Sequence, residues 1–217
     1  MHRVLTGGPS SEIGLGLCAL AIMTKAPRAG AVKTRLQPPL TPQEAAALNT
    51  CFLRDTARAV MGAGEKARAV AVFTPVGAEQ AYESILPPEF VLIPQRGEFF
   101  GERLRFATGD LLQAGFQSCC LIDSDSPTVP GEIFRAAADA IQRGDDRIVL
   151  GPSDDGGYYL IGMSKLHPEL FEEISWSTEH VLEQTIEKAE TNGLEVHLLP
   201  TFFDVDDAAT LSRLCEE

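Results

Sequence analysis

Residues 17–35 read LCALAIMTKAPRAGAVKTR, and this stretch decides how the rest of the chain is read. Its first part, Leu17–Met23, is continuously apolar, as expected of a strand covered on both faces. Its last part carries Lys25, Arg28, Lys33 and Arg35, four of the chain's 18 basic residues. A buried strand that runs into a cationic loop suits an open α/β sheet, where ligands collect at the carboxyl ends of the strands. Arginine offers phosphate oxygens a planar fork and lysine a point charge, and Gly30 lets the backbone come close. The alternative is a solvated basic loop pairing with surface acids. Two glycine motifs are rejected. Gly30–Thr34 ends like a Walker A loop, but Val32 stands where its last glycine belongs. Gly14-Leu15-Gly16 fits a dinucleotide fingerprint but precedes the strand instead of following it.

Six further apolar runs follow: Ala69–Phe73, Phe90–Ile93, Cys119–Ile122, Ile148–Leu150, Tyr158–Ile161 and Val196–Leu199. Amphipathic segments lie between them. Thr41-Pro42-Gln43-Glu44 has the cap, the proline and the glutamate of a helix start. Further helices are predicted from about Gly101, from Pro130 to near Gly144, from Ser177 to Asn192, and over Ala208–Leu214. This alternation predicts an α/β fold, a three-layer α/β/α sandwich around a mostly parallel sheet. Residues 1–16 read as a loose N-terminal extension and 17–217 as a single domain.

The net charge is −13 and the pI about 4.7, which argues against nucleic acid and anionic membrane as partners. No signal peptide is visible, and the apolar stretch Leu15–Met23 is too short to span a bilayer. The five cysteines include an adjacent pair and no C-x-x-C, so reduced thiols in a cytoplasmic protein are expected. Nothing in the sequence sets the oligomeric state.

The chemistry is expected in the loops at strand ends. Asp123-Ser124-Asp125-Ser126-Pro127 follows an apolar strand, and two aspartates so placed could hold Mg²⁺ or Mn²⁺. An aspartate-capped turn is the other reading. Gly151–Tyr159 contains Asp154 and Asp155, candidates for a sugar hydroxyl, an acceptor or a general base, in what could equally be a tight Asp-Gly turn. Asp204 and Asp206 would point the same way in an extended segment and could complete a metal sphere, or Asp206/Asp207 could cap the last helix. Trp176 is placed with the substrate residues, with simple packing as its alternative role. The four histidines show no metal spacing, and no serine or cysteine hydrolase signature occurs.

Taken in order, KAPRAGAVKTRL, PPLTPQEAAAL, GERL, DSDSP, GPSDDGGYYLIG, WST and DVDD resemble a bacterial family of uncharacterised glycosyltransferase-A-like proteins. Some of its members are named arsenosugar-biosynthesis glycosyltransferases. The family falls in the nucleotide-diphospho-sugar transferase superfamily, whose looser relatives include guanylyltransferases of the molybdenum cofactor and of coenzyme F420 precursors. The resemblance runs from about Leu20 to the C-terminus and implies the glycosyltransferase-A fold. It implies nucleotide–phosphate binding by the loop holding Lys25, Gly30, Lys33 and Arg35, and a nucleotide pocket lined by Gln95, Gly101, Glu102 and Arg103. It implies metal binding at Asp125, and a substrate role for Asp155, Gly156, Gly157 and Tyr158 and for Asp204 and Asp206. The family usually has glycine where Asp123 stands, which makes Asp125 the firmer ligand. The expected activity is metal-dependent transfer of a sugar from a nucleotide-sugar to a small acceptor, with Asp125 and Asp155 as catalytic residues. Nucleotidylyl transfer from a nucleoside triphosphate to a phosphorylated small molecule, releasing pyrophosphate, is the nearest alternative. A catalytically inactive binding protein on the same fold is the third.

Overall fold

The computed structural model describes residues 1–5, 16–143 and 146–216. Its strands are β1 (Arg3–Val4), β2 (Cys18–Lys25), β3 (Ala67–Thr74), β4 (Val91–Pro94), β5 (Ser118–Ile122), β6 (Arg147–Pro152), β7 (Tyr158–Met163) and β8 (Glu195–Leu198). They form one sheet in the order β1-β4-β3-β2-β5-β7-β6-β8. All pairings are parallel except those of β7, which runs antiparallel to both β5 and β6. Every expected apolar run is a strand. The addition is β1, two residues of the presumed loose extension, which pair with β4 at the sheet edge. The Gly14-Leu15 part of the rejected fingerprint lies outside the described residues.

The helices are α1 (Pro42–Met61), α2 (Phe100–Gln113), α3 (Gly131–Ile141), α4 (Val181–Thr191) and α5 (Ala208–Glu216). The expected stop of α3 near Gly144 lies outside the described residues. Alternate residues of β2 serve opposite cores, as strand geometry requires. Cys18, Leu20 and Ile22 pack with Leu53 and Val60 of α1 and Phe134 and Ile141 of α3. Ala19 and Ala21 pack with Leu104 and Leu111 of α2 and Ala189 of α4. The result is three layers, with helices on both faces. All five cysteines are free, and Cys18, Cys119 and Cys120 are buried as small core residues. Among the described residues no helix is long and apolar enough to cross a membrane.

Two local features aim loops at the site. The expected capping box at α1 is formed: Glu44 N–H donates to Thr41 Oγ1 at 3.3 Å, and Thr41 N–H to Glu44 Oε2 at 2.8 Å. Helix α4 starts at Val181, four residues after its expected cap at Ser177, because Ser177 has φ 64 and Thr178 makes its own turn. Its last residue precedes Asn192 and the left-handed Gly193, as anticipated.

The strand order reverses at β2. The chain goes outward to β3 and β4, then returns through α2 to β5 on the other side of β2. The loops after β2 and β5 therefore part at their carboxyl ends and open a crevice. Thr41→Ala should remove the capping box and lower unfolding free energy by about 1 kcal/mol, measured by urea titration, without changing the crevice.

Candidate functional site

Two adjoining recesses open at this crevice. The smaller, about 270 Å³, is lined by Lys25, Lys33, Arg35 and Asn49 together with Asp125 and Asp206. The larger, about 560 Å³, takes in Asp123, Asp155, Asp204 and Glu179 and an apolar wall that includes Phe100, Tyr158 and Trp176. Arg35, Ser124, Asp125 and Asp206 line both and form the shared wall.

Lys33, which lines the smaller recess, ties Asp125 and Asp206 of that wall together. Its neighbours Val32 and Leu36 are buried, which pins the loop to the core, and its backbone is left-handed at φ 48. A lysine in this region is strained, and such strain persists where surrounding contacts impose it. Here they do. The ammonium lies 2.9 Å from Asp125 Oδ1 and 2.9 Å from Asp206 Oδ1, and it donates to Val205 O at 2.6 Å. Its side chain is only 4% exposed. Burial works against the charge, but Asp125 and Asp206 outweigh it and hold the ammonium above its ordinary range. Arg35 Nη1 reaches Asp206 Oδ2 at 3.6 Å from a largely exposed position.

The loop carrying Asp204 and Asp206 is built by alternation. Phe203 and Val205 are buried against Phe52 of α1, so the aspartates between them turn the other way. Val205 N–H donates to Asp125 O at 2.8 Å and joins this loop to the one after β5. Tyr159 holds its other end, donating to Pro200 O at 2.9 Å. Asp207 is the cap of α5, accepting from Thr210 N–H at 2.9 Å.

Asp123 has a local task. Its Oδ1 accepts from Asp125 N–H at 3.3 Å and Ser126 N–H at 3.2 Å, and its Oδ2 from Ser126 Oγ at 2.8 Å. Burial and the nearby Asp125 push its carboxyl up to about 8. Burial raises Asp125 too, against the pull of Lys33 and with a further push from Asp206. Asp204 is pushed up to about 6 by burial, Asp155 and Asp206. Acids that raise one another in this way make a place that favours a cation.

The donor set fits a hard divalent cation of a particular kind. Among the described residues no three His, Cys, Asp or Glu side chains form a ready cage. Asp125 and Asp206, 36% and 39% exposed, could hold Mg²⁺ or Mn²⁺ as two carboxylates, with phosphate and water completing the sphere. Asp123 has both oxygens engaged in its own turn, so the side chain free for that purpose in this loop is Asp125.

The adjacent acids Asp154 and Asp155 part company. Asp154 pairs with Arg213 of α5, and Asp155 lines the larger recess while its Oδ1 accepts from Gly157 N–H at 2.8 Å. Gly156 has φ 90, and a Cβ there would stand 2.2 Å from Glu179 O. Glycine is therefore what lets the 176–179 segment close over this turn. Gly157 lines the larger recess.

Five expected nucleotide residues, Gly30, Gln95, Gly101, Glu102 and Arg103, and one expected substrate residue, Gly156, line neither recess. Glu102 Oε2 accepts from Glu98 and Phe99 N–H, and Arg103 donates to Gly97 O and Glu98 O, so both shape the turn before α2. Sequence reasoning missed Ser153, which donates to Asp204 at 3.2 Å, and the lining residues Phe100 and Glu179. The exposed Phe99-Phe100 pair beside GERL was the available signal for the first wall.

The family model of uncharacterized proteins conserved in bacteria (DUF2064) matches residues 56–178. The chain belongs to this family. The matched part holds Asp123, Asp125, Asp155 and Trp176, and the loops of Lys33 and Asp206 lie on either side of it. A solved structure from Desulfovibrio desulfuricans G20, described as a candidate nucleotide-diphospho-sugar transferase, is 32% identical over 91% of this chain and 85% of that one, with a TM-score of 0.82. The fold is also that of CMP:2-keto-3-deoxy-manno-octonic acid synthetase solved with CTP, at 10% identity, 91% and 96% coverage and a TM-score of 0.57. It is shared too by Rv0371c of Mycobacterium tuberculosis H37Rv in complex with manganese, at 16% identity, 93% and 99% coverage and a TM-score of 0.56. No curated protein matches the chain by sequence.

Two outcomes follow from the charges. Lys33→Met leaves two carboxylates without their ammonium and should cost roughly 1–3 kcal/mol in urea unfolding at neutral pH, a figure kept low because both acids are more than a third exposed. Asp204 has a raised carboxyl, so its contribution to stability is complete below the ordinary range near pH ~4 and is lost as pH rises through about 6. In chelator-treated protein, Asp204→Asn should gain melting temperature on the wild type at about pH 8 and not at about pH 4. Equal differences at both would show that Asp204 is not strained by its neighbours.

Proposed function

We propose that this protein transfers a sugar from a nucleotide-diphospho-sugar to a small acceptor with the help of a divalent metal. The observation that carries this reading is the shared wall, where Asp125 and Asp206 meet Lys33 and Arg35 between a basic recess and an acidic, partly aromatic one. The family's relative from Desulfovibrio supports it by its description. Lys25, Lys33 and Arg35 hold the diphosphate in the smaller recess. Asp125 and Asp206 would hold Mg²⁺ or Mn²⁺, which when bound would offset the charge of the leaving diphosphate.

The sugar and the acceptor occupy the larger recess. The acceptor's hydroxyl oxygen bonds to the sugar's anomeric carbon, the bond from that carbon to the diphosphate oxygen breaks, and the nucleoside diphosphate leaves with the electron pair. Asp155 orients the acceptor and takes the hydroxyl proton, its carboxylate steadied by Gly157 N–H. Asp204, beside it, is the second carboxylate near enough in character to share that proton. Gly157, Tyr158 and Trp176 bound the space the acceptor fills, and Gly156 keeps that boundary closed. Asp123, Glu102 and Arg103 act by holding loops in shape.

A second reading rests on one observation: three cations, Lys25, Lys33 and Arg35, surround a recess of 270 Å³, enough charge for a triphosphate. On that reading the chain transfers a nucleotidyl group and releases pyrophosphate.

Thermal unfolding with nucleotide-sugars, nucleoside diphosphates and triphosphates, each with and without Mg²⁺ or Mn²⁺, distinguishes them. One nucleotide-sugar should raise the midpoint only with metal, the stabilisation reaching about 2.7 kcal/mol at ~100 times its Kd, and Asp125→Ala should abolish the shift. A shift confined to a triphosphate, with pyrophosphate released, favours the second reading. No metal-dependent shift from any of them contradicts both.

A further inference from the structure

The larger recess has an unequal charge. Six acidic side chains line it, Asp123, Asp125, Asp155, Glu179, Asp204 and Asp206. Arg35 is the one cation among its described lining residues, and Asp206 already engages it. The lysines belong to the smaller recess. An anion entering the larger recess would meet several carboxylates inside one Debye length, with only Arg35, already paired with Asp206, to offset them.

The same recess also has an apolar, aromatic part. Phe100 and Trp176 stand edge to face with ring centroids 5.0 Å apart and an interplanar angle of 71°. Phe100 is 50% exposed, so the wall is open to a ligand. Trp176 is fixed from behind: a Cβ on Gly101 would come 2.8 Å from Trp176 Nε1, so only glycine lets the indole lie against α2. Leu104 and Val181 continue the wall inward. Aromatic side chains and carboxylates lining one recess suit a molecule that carries both a flat apolar group and hydroxyl or ammonium donors.

From this cavity we infer that the acceptor is an uncharged or cationic hydroxyl compound bearing a flat apolar group, and not a phosphorylated one. The inference rests on the transferase reading of the same site and narrows it to one acceptor class. The aromatic wall takes the flat group, and the acidic side takes the hydroxyls.

The chain's single tryptophan is Trp176, so its fluorescence reports this wall alone. Three matched probes are titrated against the full chain without any nucleotide: phenyl glucoside, the same glucoside phosphorylated on its primary hydroxyl, and the same glucoside with a primary amine in that place. The neutral and amine probes should bind about ten-fold or more tighter than the phosphorylated one, the gap narrowing as salt rises. Glu179→Lys should shrink the gap while leaving metal-dependent nucleotide binding unchanged. Equal or tighter binding of the phosphorylated probe overturns the inference, and so does a fluorescence left unchanged by all three. The readout is independent of donor, metal and turnover. A chain that fails to bind nucleotide-sugar sinks the transferase reading while this preference remains measurable, and the reverse failure leaves that reading intact.

Discussion

The site depends on one buried ammonium. Lys33 donates to Val205 O and pairs with Asp125 and Asp206, which lie on loops 80 or so residues apart in the chain. Without it, two carboxylates would face each other at the crevice and push the loops after β5 and β8 apart. With it, the loops after β2, β5 and β8 share one charge centre. The left-handed backbone of Lys33 is the local cost of this arrangement, imposed by the burial of Val32 and Leu36 on either side. On the proposed function, a metal ion would compete with this ammonium for Asp125 and Asp206, and a nucleotide's phosphates would compete with those acids for the ammonium. A lysine that binds phosphate in one state and carboxylate in another suits a site that loads and releases an anion.

The rest of the geometry follows from strand order. Because β2 lies between β3 and β5, its loop and the loop of β5 diverge, and the crevice opens between them. The antiparallel β7 brings the turn of Asp155 to the same end as Asp125, since β6 runs up to it and β7 leaves from it. Residues 199–205 then run on beside β6 through Leu199 N–H to Leu150 O and Phe202 N–H to Pro152 O, and deliver Asp204 and Asp206 to the shared wall. The chain is acidic overall, yet Lys25, Lys33 and Arg35 gather in one recess. On the proposed function, that separation of sign would give an anionic donor and a differently charged acceptor two distinct places beside the same carboxylates.

Much of this was legible in the sequence, for physical reasons that differ by element. Long apolar runs such as Leu17–Met23 read as strands because both faces are covered, and the alternation of Phe203, Asp204, Val205 and Asp206 implied two aspartates on one side. The capped start of α1 was plain from Thr41 and Glu44. Strand β1 was not legible, since two residues carry no periodicity, and its partner strand is almost ninety residues away. The antiparallel course of β7 and the sheet order have no local signal either. Asp123 and Asp125 looked alike as letters. The resemblance already made Asp125 the firmer ligand, and the hydrogen bonds of Asp123 to Ser126 and to backbone N–H groups give the physical reason: Asp123 shapes its own turn, whereas Asp125 faces Lys33 in the crevice. Glu102 and Arg103 likewise spend their polar groups on the turn before α2, a contact no spacing rule announces.

The proposed function requires Asp125 and Asp206 to hold a metal where the basic recess meets the acidic one. Anomalous diffraction from Mn²⁺ in crystals soaked with a nucleoside diphosphate tests it most directly. A single strong peak is expected within coordination distance of both carboxylates, with the Lys33 ammonium turned toward the phosphates. Bound nucleotide with no manganese at Asp125 and Asp206, or manganese at other residues, would contradict it.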